Sequence, residues 1–242
     1  HVVYELIDEG YEVIILDDLS SGDELNIDPR ARFINGSTLN NKLLDSLLSN
    51  RIDGIIHLAA WKAAGESMVH PSRYATNNII GSLNLINECV RYGIDKFIFS
   101  STAAVYGIPK YVPIDESHPL KPNNYYGHTK LMIEESLKWF SELKGMNFAS
   151  LRYFNAAGAN PEGLNGYTQE PSSHIVPILM EKILKQEVFI INGDNYNTPD
   201  GTCIRDYCHI NDIAEGKLAA INFLENGGKS GIVNLGSGKG LS

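Results

Sequence analysis

The sequence has few cysteines, a deficit of positive charge and no long apolar run. Cys89, Cys203 and Cys208 are odd in number and lack metal-ligand spacing. A disulfide framework or a cysteine-bound metal therefore does not organise the chain, and no metal is expected. Lys and Arg total 20 against 29 Asp and Glu, a net charge of −9. That balance argues against a nucleic-acid partner, which favours a basic face. No stretch approaches the roughly 20 apolar residues of a membrane span, and no signal-peptide pattern is present. The expectation is a reduced, cytoplasmic chain with no membrane partner. Internal repeats and low-complexity tracts are also missing.

A strand is lacking as well. Val2, Val3, Leu6 and Ile7 follow helical spacing and Gly10 suits a helix stop, yet no strand precedes this helix. A helix that feeds a parallel strand normally follows another one. The far end stops in Gly236-Ser-Gly-Lys-Gly240, a turn with no element after it. The expectation is an internal segment of a longer protein, truncated at both ends and only marginally stable alone.

What is present is an alternation. Apolar runs at 13–16, 32–34, 54–60, 96–101, 149–154, 188–191 and 232–235 read as strands. Helical patterns fall near 42–49, 72–92, 126–143, 174–185 and 211–225. Continuous apolar strands signal a sheet buried on both faces, and strand–helix alternation signals right-handed crossovers. The fold class is α/β, a doubly wound parallel (Rossmann-type) sheet with a smaller second part. Residues 1–155 form the main domain. Residues 156–242 form the second part, with elements returning to the main sheet, and open with a Gly-, Pro- and Asn-rich stretch at 156–173. Such sheets bind ligands at the carboxyl ends of their strands, which directs attention to Asp17, 59–62, 100–102 and 153–155.

Asp17, at the end of a strand, suits the ribose hydroxyls of a dinucleotide, but an Asp there is equally a turn residue. Tyr126-Gly-His-Thr-Lys130 places a phenol and an ammonium one helical turn apart. A nearby ammonium favours the phenolate, so Lys130 is expected to lower the Tyr126 pKa and leave a base able to deprotonate a hydroxyl. By itself this spacing is also that of a surface pair at a helix start. Ser100-Ser-Thr102 closes an apolar strand and offers a hydroxyl to the phenol, or is an ordinary strand-to-turn boundary. Asn77-Asn78 reads as partly exposed helix or as a buried bridge to backbone.

In that order, five stretches make the sequence similar to a known family. They are His57-Leu-Ala-Ala-Trp-Lys-Ala-Ala-Gly-Glu-Ser67, Phe99-Ser-Ser-Thr-Ala-Ala-Val-Tyr-Gly107, Asn124-Tyr-Tyr-Gly-His-Thr-Lys130, Leu151-Arg-Tyr-Phe-Asn-Ala-Ala-Gly158 and Asp200-Gly-Thr-Cys-Ile-Arg-Asp-Tyr207. The chain resembles the extended short-chain dehydrogenase/reductases, and within them the 4-epimerase branch that acts on UDP-sugars. The first and last stretches separate that branch from dehydratases and decarboxylases.

The resemblance implies tightly held NAD, a UDP-sugar substrate and interconversion of UDP-glucose and UDP-galactose by transient oxidation at C4 of the sugar. It implies Tyr126, Lys130 and Thr102 as catalytic residues, and a homodimer paired through the helices at 72–92 and 126–143. Asp17, Asp18, Ser20, Ser37, Thr38, Leu58, Ala59, Ala60, Lys62, Asn77 and Phe154 would contact the cofactor along with Tyr126 and Lys130. Lys62, Thr102, Asn155, His174 and Arg205 would hold the UDP-sugar. The chain departs from the pattern at Ser37, where relatives carry Asp near adenine. It departs again at Asn192, where many carry an aromatic residue, and at His174, where some carry Asn. The glycine-rich phosphate loop is not in the sequence. Other UDP-sugars, N-acetylated or uronic, and a non-catalytic fragment remain alternatives.

Overall fold

The computed structural model describes residues 1–167 and 174–242. Helix α1 (Val2–Asp8) leads into strands β1 (Ile14–Asp17) and β2 (Arg32–Asn35), helix α2 (Asn41–Leu48) and strand β3 (Ile55–His57). Short helices α3 (Ala64–Val69) and α4 (Pro71–Tyr74) run through a π-helical turn, Ala75–Ile80, into α5 (Gly81–Tyr92). Strand β4 (Lys96–Thr102), helix α6 (Tyr125–Lys144) and strand β5 (Asn147–Tyr153) follow. The remainder comprises β6 (Asn155–Ala157), α7 (Ile175–Lys185), β7 (Arg205–His209), α8 (Ile210–Glu225), β8 (Gly231–Leu235) and β9 (Gly240–Leu241).

The main sheet is parallel, in the order β3-β4-β5-β8, and β1 pairs with β2 in a separate parallel ladder. No ladder joins β1 to β3. Alternation along the strands explains why helices cover both faces. Phe97 and Phe99 enter a core with Leu85, Ile86 and Cys89 of α5 and Ile133 and Leu137 of α6. Ile98, between them, joins Ala149 and Leu151 against Ala220, Ile221 and Leu224 of α8. Ile14, Leu16 and Ile55 pack on the first core, so both ladders share it.

Helix α6 starts where Asn124 caps it, its side chain accepting from the Gly127 amide at 2.8 Å, and ends at Gly145 in the left-handed region. Beneath it lies a buried ion pair, Arg152 Nη2 to Glu134 Oε2 at 2.6 Å, to which Ser101 and Ser150 add hydroxyl donors.

The predicted strand at 188–191 does not form. Val188, Ile190 and Ile191 are exposed, no ladder reaches them, and Gln186 turns left-handed (φ 54°) just before. An apolar run forms a strand only where another strand can pair with it, and here the pairing goes to β7 instead. β7 aligns with β6 in parallel and β9 in antiparallel fashion. Residues 168–173 of the predicted loop lie outside the described residues.

Candidate active site

The carboxyl ends of the strands carry the polar groups. Thr102 ends β4 opposite Tyr153, which ends β5. The Thr102 hydroxyl accepts from the Ala104 amide at 3.1 Å and acts on the Tyr126 phenol to lower its pKa. Tyr126 is fixed through its own backbone, whose amide donates to Ser67 Oγ at 3.0 Å. Ser67 is fully buried, so the stretch ending in Ser67 serves to seat the start of α6.

Lys130 is buried, with its Nζ donating to the Ser100 carbonyl at 2.8 Å and lying 4.8 Å from the Phe99 ring centroid. Burial, with the nearby charge of Lys217, lowers its pKa to about 7. The Tyr126 pKa moves the opposite way from the sequence expectation. Burial raises it most, Tyr153 and Tyr74 add to the rise, and the Thr102 hydroxyl lowers it. The Lys130 ammonium is directed to the Ser100 carbonyl of the strand beneath the helix, and desolvation governs the phenol.

Asn78, fully buried in the π-helical turn, accepts from the Trp61 amide at 2.8 Å and donates to the Trp61 carbonyl at 2.9 Å. It also donates to Thr129 Oγ1 at 3.2 Å. Of the paired asparagines, then, one is the buried bridge, while Asn77 faces a cleft. That cleft gathers Asp17, Asp18, Ser20, Ser37, Thr38, Ala59 and Ala60 with Asn77. Asp17 and Asp18 each accept a backbone amide two residues on, from Leu19 at 2.7 Å and Ser20 at 3.0 Å.

Other predicted residues sit apart from this cleft. Leu58 is half exposed just past β3. Lys62 Nζ lies 5.9 Å from the Tyr167 ring centroid, and its charge contributes to lowering the His174 pKa after burial. The Tyr167 and His174 rings meet edge to face at 6.4 Å. Phe154 sits over Gly236, where an added Cβ would come within 2.9 Å of its ring. Asn155 Nδ2 donates to the Asp206 carbonyl at 2.9 Å. Arg205 is exposed and donates to the Ile204 carbonyl at 2.8 Å, while the neighbouring Asp206 carboxylate is taken by Ser237 and Gly238. Asn192 lies in the irregular segment after α7.

The pattern of the NAD dependent epimerase/dehydratase family matches residues 1–236. The chain belongs to this family. It is 42% identical to the UDP-glucose 4-epimerase of Lacticaseibacillus casei over its full length, covering 74% of that protein. It is 43% identical to the UDP-glucose 4-epimerase of Halalkalibacterium halodurans, again over its full length and 73% of the relative. The crystal structure of the Brucella ovis UDP-glucose 4-epimerase in complex with NAD superposes with a TM-score of 0.97 at 36% identity, covering all of this chain and 75% of that one. The Rossmann-type α/β class expected for an epimerase of this family is thereby established.

The cleft fits the adenosine end of NAD. Two carboxylates and four hydroxyls, those of Ser20, Ser21, Ser37 and Thr38, gather at adjoining strand ends, which suits ribose hydroxyls rather than phosphate. Among the described residues, no helix is long and apolar enough to cross a membrane.

Three residues packed against the Thr102 and Lys130 region escaped the sequence reading. Tyr153 and Ser100 stand at strand ends without an assigned role. Lys217 had a signal: it occupies the same helical stripe as Ile213, Ala214, Ala220, Ile221 and Leu224, all buried in α8.

Proposed function

We propose that this protein interconverts UDP-glucose and UDP-galactose, with Tyr126 as the group that moves the proton of the sugar 4-hydroxyl. The observation carrying this reading is the seating of Tyr126 beside Thr102 at the carboxyl end of β4, with the Tyr126 amide held by Ser67 and Lys130 one helical turn on. Bound NAD supplies the two-electron acceptor at C4 and positive charge beside the phenol.

The chain's own residues do the rest. Asp17, Asp18, Ser20, Ser37, Thr38 and Asn77 hold the adenosine side, and Leu58, Ala59, Ala60 and Lys62 lead toward the reacting end, near Phe154. Thr102 holds the sugar 4-oxygen against the phenol. Tyr126 takes the proton at Oη and returns it after the sugar has turned over. Lys130 supplies positive charge and a ribose donor. Asn155, His174 and Arg205 hold the UDP-sugar, and the Arg205 guanidinium suits the diphosphate as a planar fork.

Residues 1–155 serve as the NAD-binding part and 156–242 mainly as the substrate-binding part, in a cytoplasmic homodimer. Incubation with UDP-galactose and NAD, with UDP-glucose read by chromatography, tests the activity. UDP-N-acetylgalactosamine run in parallel tests substrate choice. Turnover on UDP-galactose alone supports the reading, and no turnover on it overturns it.

A further inference from the structure

Beneath Tyr126 lies a second buried lysine that the reaction described above does not use. Lys217 is 1% exposed, on α8, on the opposite face of the sheet from α6. Its Nζ donates to Ser100 Oγ at 2.8 Å, while Lys130 Nζ donates to the carbonyl of the same Ser100 at 2.8 Å. Lys217 Nζ also sits 4.8 Å from the ring centroid of Tyr153, the residue that ends β5 beside β4. Tyr153 in turn faces Thr102 across the strands and bears electrostatically on Tyr126. One serine therefore joins two buried ammonium groups from opposite faces of the sheet.

We infer that Lys217 is a positioning residue for the Tyr126–Lys130 pair, acting through Ser100 and Tyr153 to set the charge carried by Lys130. The inference rests on the proposed role of that pair. A buried charge is costly and is retained where it is partnered. The partners here are a single hydroxyl and an aromatic face, which orient the ammonium without neutralising it.

Burial is the largest influence on both lysines and lowers Lys217 itself to about 8, and the Lys217 charge adds to the lowering of Lys130. From β4 it meets only the Ser100 hydroxyl, from β5 Tyr153, and from α6, across the sheet, Lys130 with Glu134 behind it. Arg152 of β5 is closed on Glu134. The β7 strand packed on α8 carries Arg205, which donates to the Ile204 carbonyl, and Asp206, held by Ser237 and Gly238, together with Tyr207, Cys208 and His209. β6 brings no ionisable side chain, α1 brings Tyr4, Glu5 and Asp8, and α8 itself carries Asp212, Glu215 and Glu225. Among the described residues, no carboxylate pairs with Lys217.

Two like charges at one serine disfavour each other. Burial and the Lys217 charge are what hold Lys130 near 7. Removing that charge while keeping the volume should let Lys130 rise. The test is an NMR pH titration of labelled lysine side chains in the full chain, which needs no turnover. In Lys217→Met the Lys130 midpoint should climb above about 7 but stop short of the ordinary lysine value of 10.5, because burial, the larger cause, remains, and Lys217→Arg should keep it low. Ser100→Ala, which removes the acceptor that orients the Lys217 ammonium, should move it the same way and serves if Lys217→Met fails to fold. The alkaline limb of the pH–rate profile should shift upward with it. A Lys130 midpoint that stays near 7 in the folded variant overturns the inference whatever happens to activity. Lost turnover on UDP-galactose with the midpoint shifted as expected bears instead on the proposed function.

Discussion

Asn78 clamps the backbone of Trp61 on both sides of its Cα, accepting from the amide at 2.8 Å and donating to the carbonyl at 2.9 Å. The clamp fixes the segment after β3 against the π-helical turn, and through Thr129 it reaches the helix that carries Tyr126 and Lys130. Two faces of the site, the cleft and the reacting pair, thus depend on one buried amide. Asn78→Ala should cost about 3 kcal/mol, because it strands buried backbone groups as well as removing bonds. It should also weaken NAD binding. Urea unfolding and NAD titration read both effects, and a variant of wild-type stability would contradict the clamp.

The Thr102 hydroxyl lowers a Tyr126 pKa that burial otherwise raises. Thr102→Ala should therefore slow turnover by about a hundredfold and move the ascending, acid-side limb of the pH–rate profile to higher pH. The sign follows from the phenolate being the active form: a higher Tyr126 pKa leaves less of it at any given pH. Thr102→Ser should restore both rate and limb. A serine variant as slow as the alanine one would show that the methyl group, not the hydroxyl, matters.

His57 is buried against Phe97, Phe99 and Ser82, and burial followed by the Lys130 charge lowers its pKa from 6.5 to about 3. The unfolded chain binds a proton at His57 in this window and the folded chain does not. Stability is full above pH 6.5 and falls as pH drops toward 3, by about 1.4 kcal/mol per pH unit from this group. His57→Gln should flatten that part of the curve. Equal slopes for variant and parent in urea unfolding between pH 7 and pH 4 would rule out the buried neutral imidazole.

Glu134 and Arg152 form a closed ion pair under α6, with side chains 0% and 2% exposed. Glu134→Gln alone leaves a buried guanidinium without its counter-charge and should cost about 4 kcal/mol. Adding Arg152→Met should recover much of the loss, since the pair as a whole gives little net stability. A double variant less stable than the single by the full cost of a second lesion would contradict this.

Much of the fold was legible because the sheet is buried on both faces, which leaves unbroken apolar runs such as Phe97–Ile98–Phe99 between helical stripes. The failure at 188–191 has the same root. An apolar run records hydrophobicity but not whether a partner strand exists, whereas the polar β7 became a strand through its pairing with Asn155, Ala156 and Ala157. At the cleft, Asp17, Ala59 and Ala60 were legible because strand ends are predictable places, whereas Asp18, Ser20, Ser37, Thr38 and Asn77 came only through the family resemblance. The Tyr126–Lys130 relationship was legible in spacing but not in sign, since helical periodicity gives distance along a face and says nothing of desolvation. Lys217 comes to Ser100 from 117 residues away, and only the packed fold joins them.

The central claim is that the 4-hydroxyl proton moves through Tyr126 while the C4 hydrogen never reaches solvent. UDP-galactose deuterated at C4 tests it, with the protein and its Tyr126→Phe variant run side by side and the product read by mass spectrometry and NMR. The expected result is UDP-glucose that keeps the deuterium at C4, with turnover about a thousandfold lower in the variant and NAD binding intact. Deuterium lost to water, or a variant as fast as the parent, would contradict it.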